Sequence, residues 1–253
     1  MGQSNDWAGI AKSLLEDLEP PRKIYVVDNR NHGNSPHTPG HSYELMAEDY
    51  MQLLKNLGLK EAVFLGHSMG GRASMYAALK YPDQVSSVII IDISPIEGAD
   101  DMKKILAEPL QLLQKLAKFD LKKQTGNILE VRKYVDNELK KIAVNAPDYR
   151  EFLLQNINRN TDGSYNWKIN IPALLENYNS FKSLHVGNLT YDKPMLLIAG
   201  EKSKFVPKSH AEDIKKIFTN ARLEFLPTAG HMIHIEDPRS LCELVVNFLK
   251  YEK

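Results

Sequence analysis

The sequence predicts an α/β protein: a mostly parallel sheet with helices on both faces, interrupted by a mostly helical cap insertion. Three observations carry this reading. Short apolar runs at Glu61–Leu65, Val85–Asp92, Pro194–Gly200 and Leu223–Leu226 alternate with stretches of helical period, as parallel strands with crossover helices do. One run passes through Gly66-His67-Ser68-Met69-Gly70-Gly71 into the small-residue stretch Arg72–Leu79, so Ser68 sits on a strand-to-helix turn. Between about Ile96 and Asp192 the alternation stops, and helical spacing takes its place.

In chain order, the residues up to Trp7 lead into a helix from Trp7 to Leu18 with no strand before it. Arg22–Asp28 reads as a short buried strand ending in the polar loop Asn29–Pro36. Tyr43–Leu57 carries Met46, Tyr50, Leu53, Leu54 and Leu57 on one helical face. The serine turn and the strand Val85–Asp92 follow. In the insertion, Leu106, Leu110, Leu113 and Leu116 mark one helix, and Ile128, Val131, Val135, Leu139 and Ile142 another. Tyr165, Trp167, Ile169 and Ile171 alternate after the turn residues Thr161–Ser164, which suits a short extended segment. The lysine pairs Lys103-Lys104, Lys122-Lys123 and Lys140-Lys141 read as solvated helix faces. A helix near Ser209–Phe218 separates the last two strands, and Thr228–His231 forms the loop after the final one. The expected organisation is therefore a core of residues 1–95 and 193–253 with a cap of 96–192.

Composition narrows the function classes. Lysine plus arginine equals aspartate plus glutamate at 32 each, so net charge points to neither nucleic acid nor a membrane surface. No apolar run approaches the length of a transmembrane helix, and no targeting peptide is visible. The single Cys242 excludes an internal disulfide, and its spacing with Leu241, Val245 and Leu249 makes it a packed helix residue. No metal cluster, phosphate-cradling glycine loop or nucleotide fingerprint is present, so no cofactor is expected.

Glycines flanking Ser68 let the backbone bend sharply, which is the G-x-S-x-G nucleophile elbow in its strand-turn-helix context. A serine hydroxyl needs a base, and His231 follows the last strand on the sheet edge where strand C-termini gather. His67 is less favoured, because adjacent side chains in a turn point apart. His32, His37 and His41 lie on the loop after Arg22–Asp28 and read as structural, with His32 a candidate to line a pocket; His234 reads as packed. For the acid that orients the histidine, Asp92 is the better candidate, since a carboxylate directly after Ile89-Ile90-Ile91 is costly without a partner. A turn-capping aspartate is the competing reading, and Glu201 stays open as an alternative acid. This arrangement supports acyl transfer to water through a serine ester, with the Met69 N–H as one oxyanion donor.

Taken together, Asp28–Ser35, the elbow, Asp92-Ile93-Ser94-Pro95, Asp162-Gly163 with Trp167, Ser203 with Phe205-Val206, and Ala229-Gly230-His231 resemble one branch of the α/β-hydrolases. That branch contains bacterial short-chain acyl esterases and the animal mitochondrial α/β-hydrolase domain-containing protein eleven. The resemblance covers nearly the whole chain. It implies Ser68 as nucleophile, His231 as base, Asp92 as acid and Ser203 as an auxiliary hydrogen-bonding group. An acid within the cap, which the branch also suggests, falls here on Pro172, whose side chain cannot orient an imidazole. Small acyl esters or thioesters with lipid-like groups are the implied substrates. A mitochondrial location and a link to 2-oxoacid dehydrogenase complexes are implied in animals, while the lack of a targeting peptide leaves the cytoplasm open.

The resemblance also implies further strands and a His-Gly-Leu-x-Gly loop ahead of this sequence, with Met1-Gly2 matching the end of that loop. The expectation is a chain lacking its first strands and second oxyanion donor. Two readings stand: a serine hydrolase, and a weakly active or non-catalytic hydrolase-fold chain that binds a ligand or partner.

Overall fold

The computed structural model describes residues 2–96, 101–141, 147–185 and 187–250, with the backbone alone for 101–108 and 147–149. After a 3-10 turn at Ser4–Trp7 come α1 (Ala8–Asp17), α2 (Tyr43–Asn56), β1 (Ala62–His67), α3 (Met69–Lys80) and β2 (Val85–Ile91). The insertion holds α4 (Asp101–Leu116), α5 (Ile128–Leu139), α6 (Pro147–Leu154), β3 (Ile157–Arg159), β4 (Tyr165–Trp167), α7 (Ile171–Glu176) and α8 (Tyr178–Phe181). The chain ends with β5 (Met195–Gly200), α9 (Ala211–Ile217), β6 (Ala221–Leu226), α10 (Ile233–Glu236) and α11 (Pro238–Lys250).

Two compact units divide these elements. The first takes Trp7–Val26, Ser42–Ile105 and the residues from Ser180 onward. It contains a four-stranded sheet in the order β1-β2-β5-β6, parallel throughout. Successive residues of a strand face opposite sides, and the buried strand residues sort accordingly. Val88, Ile90, Met195, Leu197 and Ala199 join Met46 and Ala47 of α2, Ala73 and Ala77 of α3 and Ile214 of α9 in one core. Ile89, Ile91, Leu196 and Ile198 join Ile10 and Leu14 of α1 and Leu241, Val245 and Leu249 of α11 in the other. Each fully buried aliphatic side chain contributes roughly 1.5–3 kcal/mol, so helices on both faces are what let continuous apolar strands form. Cys242 is one of the buried residues of α11, and burial raises its thiol pKa.

The second unit takes the residues before Trp7, Val27–His41 and Leu106–Asn179. Here α5 starts with a capping box in which Asn127 Oδ1 accepts from the Glu130 N–H and the Glu130 carboxylate accepts from the Asn127 N–H. Buried Val131, Val135 and Leu139 follow the expected spacing, as do Leu113 and Leu116 of α4. The expected helix position Ile142 lies outside the described residues, as do Met1 and the side chains of Lys103, Lys104 and Leu106. The extended segment at Tyr165 is one arm of an antiparallel hairpin, with Ile157 opposite Trp167. Its partner β3 carries no sequence signal of its own, being only three residues long. The loop 27–41 belongs to this unit because Asn31 binds Asn170 twice, backbone to backbone at 2.9 Å and side chain to side chain at 3.0 Å. The units thus divide at other points than the boundaries 95/96 and 192/193 drawn from the sequence.

One expected strand is absent. Arg22–Asp28 pairs with no strand among the described residues, and Tyr25, Val26 and Val27 are 48%, 39% and 45% exposed. An apolar run becomes a strand only where a neighbour takes up its N–H and C=O groups, and here β1 is bonded on one side alone, to β2. Leu57, expected on the apolar face of α2, lies past the helix end and is 37% exposed.

Candidate active site

All four parallel strands end on one edge of the first unit, and the chemistry-bearing residues follow those ends. His67 at the close of β1 pairs with Ile91 at the close of β2, and the Ser68 N–H donates to the Ile91 carbonyl at 3.0 Å. Ser68 and Asp92 therefore leave neighbouring strands side by side. Both are non-glycine residues in the left-handed region, Ser68 at φ 52° and Asp92 at φ 50°. Such conformations cost about 1–3 kcal/mol each and persist where surrounding structure enforces them. At the elbow the enforcement is a close approach: a Cβ on Gly66 would lie 2.4 Å from the Gly70 carbonyl oxygen. The Ser68 side chain does not cap α3, so its hydroxyl is not spent on the helix that follows it.

Asp92 is fully buried, with three donors around its carboxylate. His231 Nδ1 stands 2.7 Å from Oδ2, the Gly200 N–H donates to Oδ1 at 2.9 Å, and the Ser203 hydroxyl donates to Oδ2. Ser203 Oγ in turn accepts the Phe205 N–H at 3.2 Å. A buried carboxylate in an apolar strand end is tolerable only with such saturation, which is the partner the sequence demanded. Because a carboxylate oxygen only accepts, Nδ1 of His231 carries a proton, and in the neutral ring Nε2 keeps its lone pair. The Phe205 ring stacks on the His231 imidazole at 3.9 Å between centroids and 23° between planes.

Gly200 lets the histidine loop reach this carboxylate. A Cβ there would fall 2.2 Å from the Gly230 carbonyl oxygen and 2.5 Å from that of Ala229. Glu201, the alternative acid, points elsewhere and pairs with Lys208 at 2.6 Å. His234 packs: it is buried, stacked on Trp7 at 4.6 Å, and burial with the nearby His231 depresses its pKa to about 4. His67 lies 4.6 Å from His231 between ring centroids and is held well below the usual imidazole range, first by burial and then by His231 and His234. In the second unit His32 and His41 are buried, and His37 Nε2 donates to the Lys168 carbonyl at 3.1 Å.

The structure thus joins Asp92, His231 and Ser203 directly and sets Ser68 beside Asp92. Two features escaped the sequence reading. Arg72 is buried behind the elbow, donating to the carbonyls of Ser94 at 3.2 Å and Lys182 at 2.6 Å. The contacts of His67 with the His231 loop also depend on residues far apart in the chain, and no local pattern announces them. Among the described residues no group of three or more histidine, cysteine, aspartate or glutamate side chains is placed to hold a metal, and no helix is long and apolar enough to cross a membrane.

Residues 1–238 match the family model described as the alpha/beta hydrolase fold. The sn-1-specific diacylglycerol lipase ABHD11 of Mus musculus is 32% identical over 98% of this chain and 78% of its own length. Esterase YbfF of Escherichia coli is 28% identical over 93% of this chain and 86% of its own. The solved structure of a marine microorganism esterase superposes with a TM-score of 0.86 at 32% identity, covering 98% of this chain and 91% of that one. The chain belongs to the α/β-hydrolase fold family, in the branch that holds the ABHD11 lipases and these esterases.

Proposed function

We propose that this protein is a serine hydrolase that cleaves carboxylic esters or thioesters of lipid-like acyl groups through a covalent acyl-enzyme. Its class, a carboxylic ester hydrolase, follows from relatives that are named esterases and lipases. The observation that carries the mechanism is the buried Asp92 carboxylate bonded at 2.7 Å to His231 Nδ1, next to the strained Ser68 turn.

In this reading His231 Nε2 takes the Ser68 hydroxyl proton as Oγ attacks the acyl carbon. The carbonyl π bond opens, and the tetrahedral oxyanion accepts the Met69 N–H at the first position of α3. Collapse expels the alcohol or thiol, which leaves with the proton from Nε2, and Ser68 keeps the acyl group. Water then gives a proton to Nε2 and its oxygen to the acyl carbon; the second collapse returns the proton to Ser68 Oγ and releases the acid. Asp92 stays ionised throughout, fixing the tautomer and balancing the imidazolium. Ser203 holds the carboxylate against rotation.

Turnover of p-nitrophenyl esters and of short acyl thioesters tests the reading. Ser68→Ala abolishes both while leaving cooperative unfolding intact; unchanged turnover in that variant overturns it. On resemblance alone the reading extends to a mitochondrial location and to 2-oxoacid dehydrogenase complexes, and failure to co-purify with those complexes counts against that extension.

A further inference from the structure

The peptide group after His231 and the one before Gly230 are held by two side chains outside the Ser68-His231-Asp92-Ser203 set. His67 Nε2 lies 2.8 Å from the His231 carbonyl oxygen. The Glu236 carboxylate accepts from both neighbours of the base, the Gly230 N–H at 2.7 Å and the Met232 N–H at 3.0 Å. These two side chains thus reach three consecutive residues of the loop, His231 through its carbonyl and Gly230 and Met232 through their amides. The Met232 carbonyl accepts the Ile235 and Glu236 N–H at 2.8 and 2.9 Å.

We propose that His67 and Glu236 form a clamp on the backbone of His231 and act as positioning residues for the base, an inference that rests on His231 being that base. The geometry dictates the chemistry of each jaw. A carbonyl oxygen can only accept, so His67 must be the neutral Nε2–H tautomer or the imidazolium. Burial and the two adjacent histidines keep it neutral, so it does not set a second positive charge 4.6 Å from the imidazolium that forms on His231 in turnover. On the other side, one carboxylate spans two amides two residues apart, which a single-acceptor side chain cannot do equally well. Gly230 permits the approach, because a Cβ there would stand 3.2 Å from Glu236 Oε2. Backbone bonds anchor the loop at its ends, the Lys202 N–H to the Ala229 carbonyl at 3.1 Å and the Glu236 N–H to the Met232 carbonyl at 2.9 Å. Between them a residue held by its ring alone could still swing about the Nδ1–Oδ2 axis. The backbone clamp removes that freedom, and displacement of a catalytic group by about 1 Å can cost on the order of 10² in rate.

The test compares His67→Gln, His67→Asn, Glu236→Ala and His231→Ala in ester turnover, with imidazole tautomers of the wild type read by long-range nitrogen–proton NMR. A glutamine amide reaches where Nε2 stands and an asparagine amide only where Nδ1 stands. His67→Gln should keep kcat within about threefold. His67→Asn should lower kcat by roughly 10–100-fold with KM nearly unchanged, Glu236→Ala by about tenfold. In the His231→Ala background His67→Asn should have no further effect. The NMR spectrum should show His67 as Nε2–H at neutral pH. Full activity in His67→Asn, an equal loss in His67→Gln, or an Nδ1–H tautomer of His67 overturns the clamp. Full activity in His231→Ala overturns the base assignment itself, so the two failures are told apart.

Discussion

Replacing Asp92 by asparagine removes one acceptor and adds a donor at a buried site where all three partners donate. Oδ2 receives His231 Nδ1 at 2.7 Å and the Ser203 hydroxyl, and Oδ1 receives the Gly200 N–H at 2.9 Å. The new amide nitrogen has two places to go. At the Oδ1 position it faces the Gly200 N–H, leaving a buried donor unsatisfied at about 1–3 kcal/mol. At the Oδ2 position it faces two donors, and His231 must turn over to the Nε2–H tautomer, in which it cannot take the serine proton. The first arrangement appears as lost stability and the second as lost rate. Because the second loses one clash by moving a proton within the ring, the tautomer switch is the larger population. Turnover should fall by about 10⁴, close to 5.4 kcal/mol of transition-state stabilisation. Steady-state ester hydrolysis with denaturant unfolding in parallel measures both. Glu201→Gln, which touches only an exposed ion pair with Lys208, is the matched control and should change neither. Asp92→Asn turning over within tenfold of wild type would refute the reasoning, since no other carboxylate bonds His231 Nδ1 among the described residues.

Ser203→Ala removes a neutral hydroxyl from the same carboxylate and should lower kcat about 10–100-fold, less than Asp92→Asn, by the same assay. Gly200→Ala drives a Cβ into the backbone at Gly230 and Ala229 and should destabilise the fold by about 1–3 kcal/mol or more while displacing His231; unfolding midpoint and turnover both report it. His234 gives a pH signature. Its pKa is near 6.5 when unfolded and about 4 when folded, so the unfolded chain binds the extra proton between those values. Stability is therefore complete above about pH 6.5 and falls as pH drops towards 4, by roughly 2 kcal/mol at pH 5 from this group. His234→Phe should flatten that slope in denaturant titrations at pH 7.5 and 5, although the similarly directed shift of His67 leaves part of it.

The sequence was most informative where chemistry contradicts the local pattern. A carboxylate after three isoleucines required a partner, and Asp92 has three donors. Glycines flanking Ser68 marked a sharp bend, and at Gly66 a Cβ would lie 2.4 Å from the Gly70 carbonyl oxygen. Apolar content alone misled at Arg22–Asp28, because strand formation depends on a hydrogen-bonding neighbour that a single segment cannot announce. The short β3 was hidden because three residues carry no pattern of their own, and the attachment of loop 27–41 because its partner Asn170 lies far along the chain. His67 shows the limit most sharply. Adjacent side chains in a turn point apart, which disfavours it as base for Ser68, yet its ring Nε2 reaches the His231 carbonyl at 2.8 Å, a partner no local pattern announces.

Covalent trapping tests the central claim most directly. A fluorophosphonate is attacked at phosphorus by a serine Oγ whose proton a base takes as fluoride leaves, and the resulting tetrahedral adduct mimics the acylation intermediate. After incubation and proteolysis, mass spectrometry should find the adduct on the peptide carrying Ser68, absent in Ser68→Ala and formed far more slowly in His231→Ala and Asp92→Asn. An adduct on any other residue, or an unchanged labelling rate in His231→Ala, would contradict a Ser68 nucleophile activated by the His231–Asp92 pair.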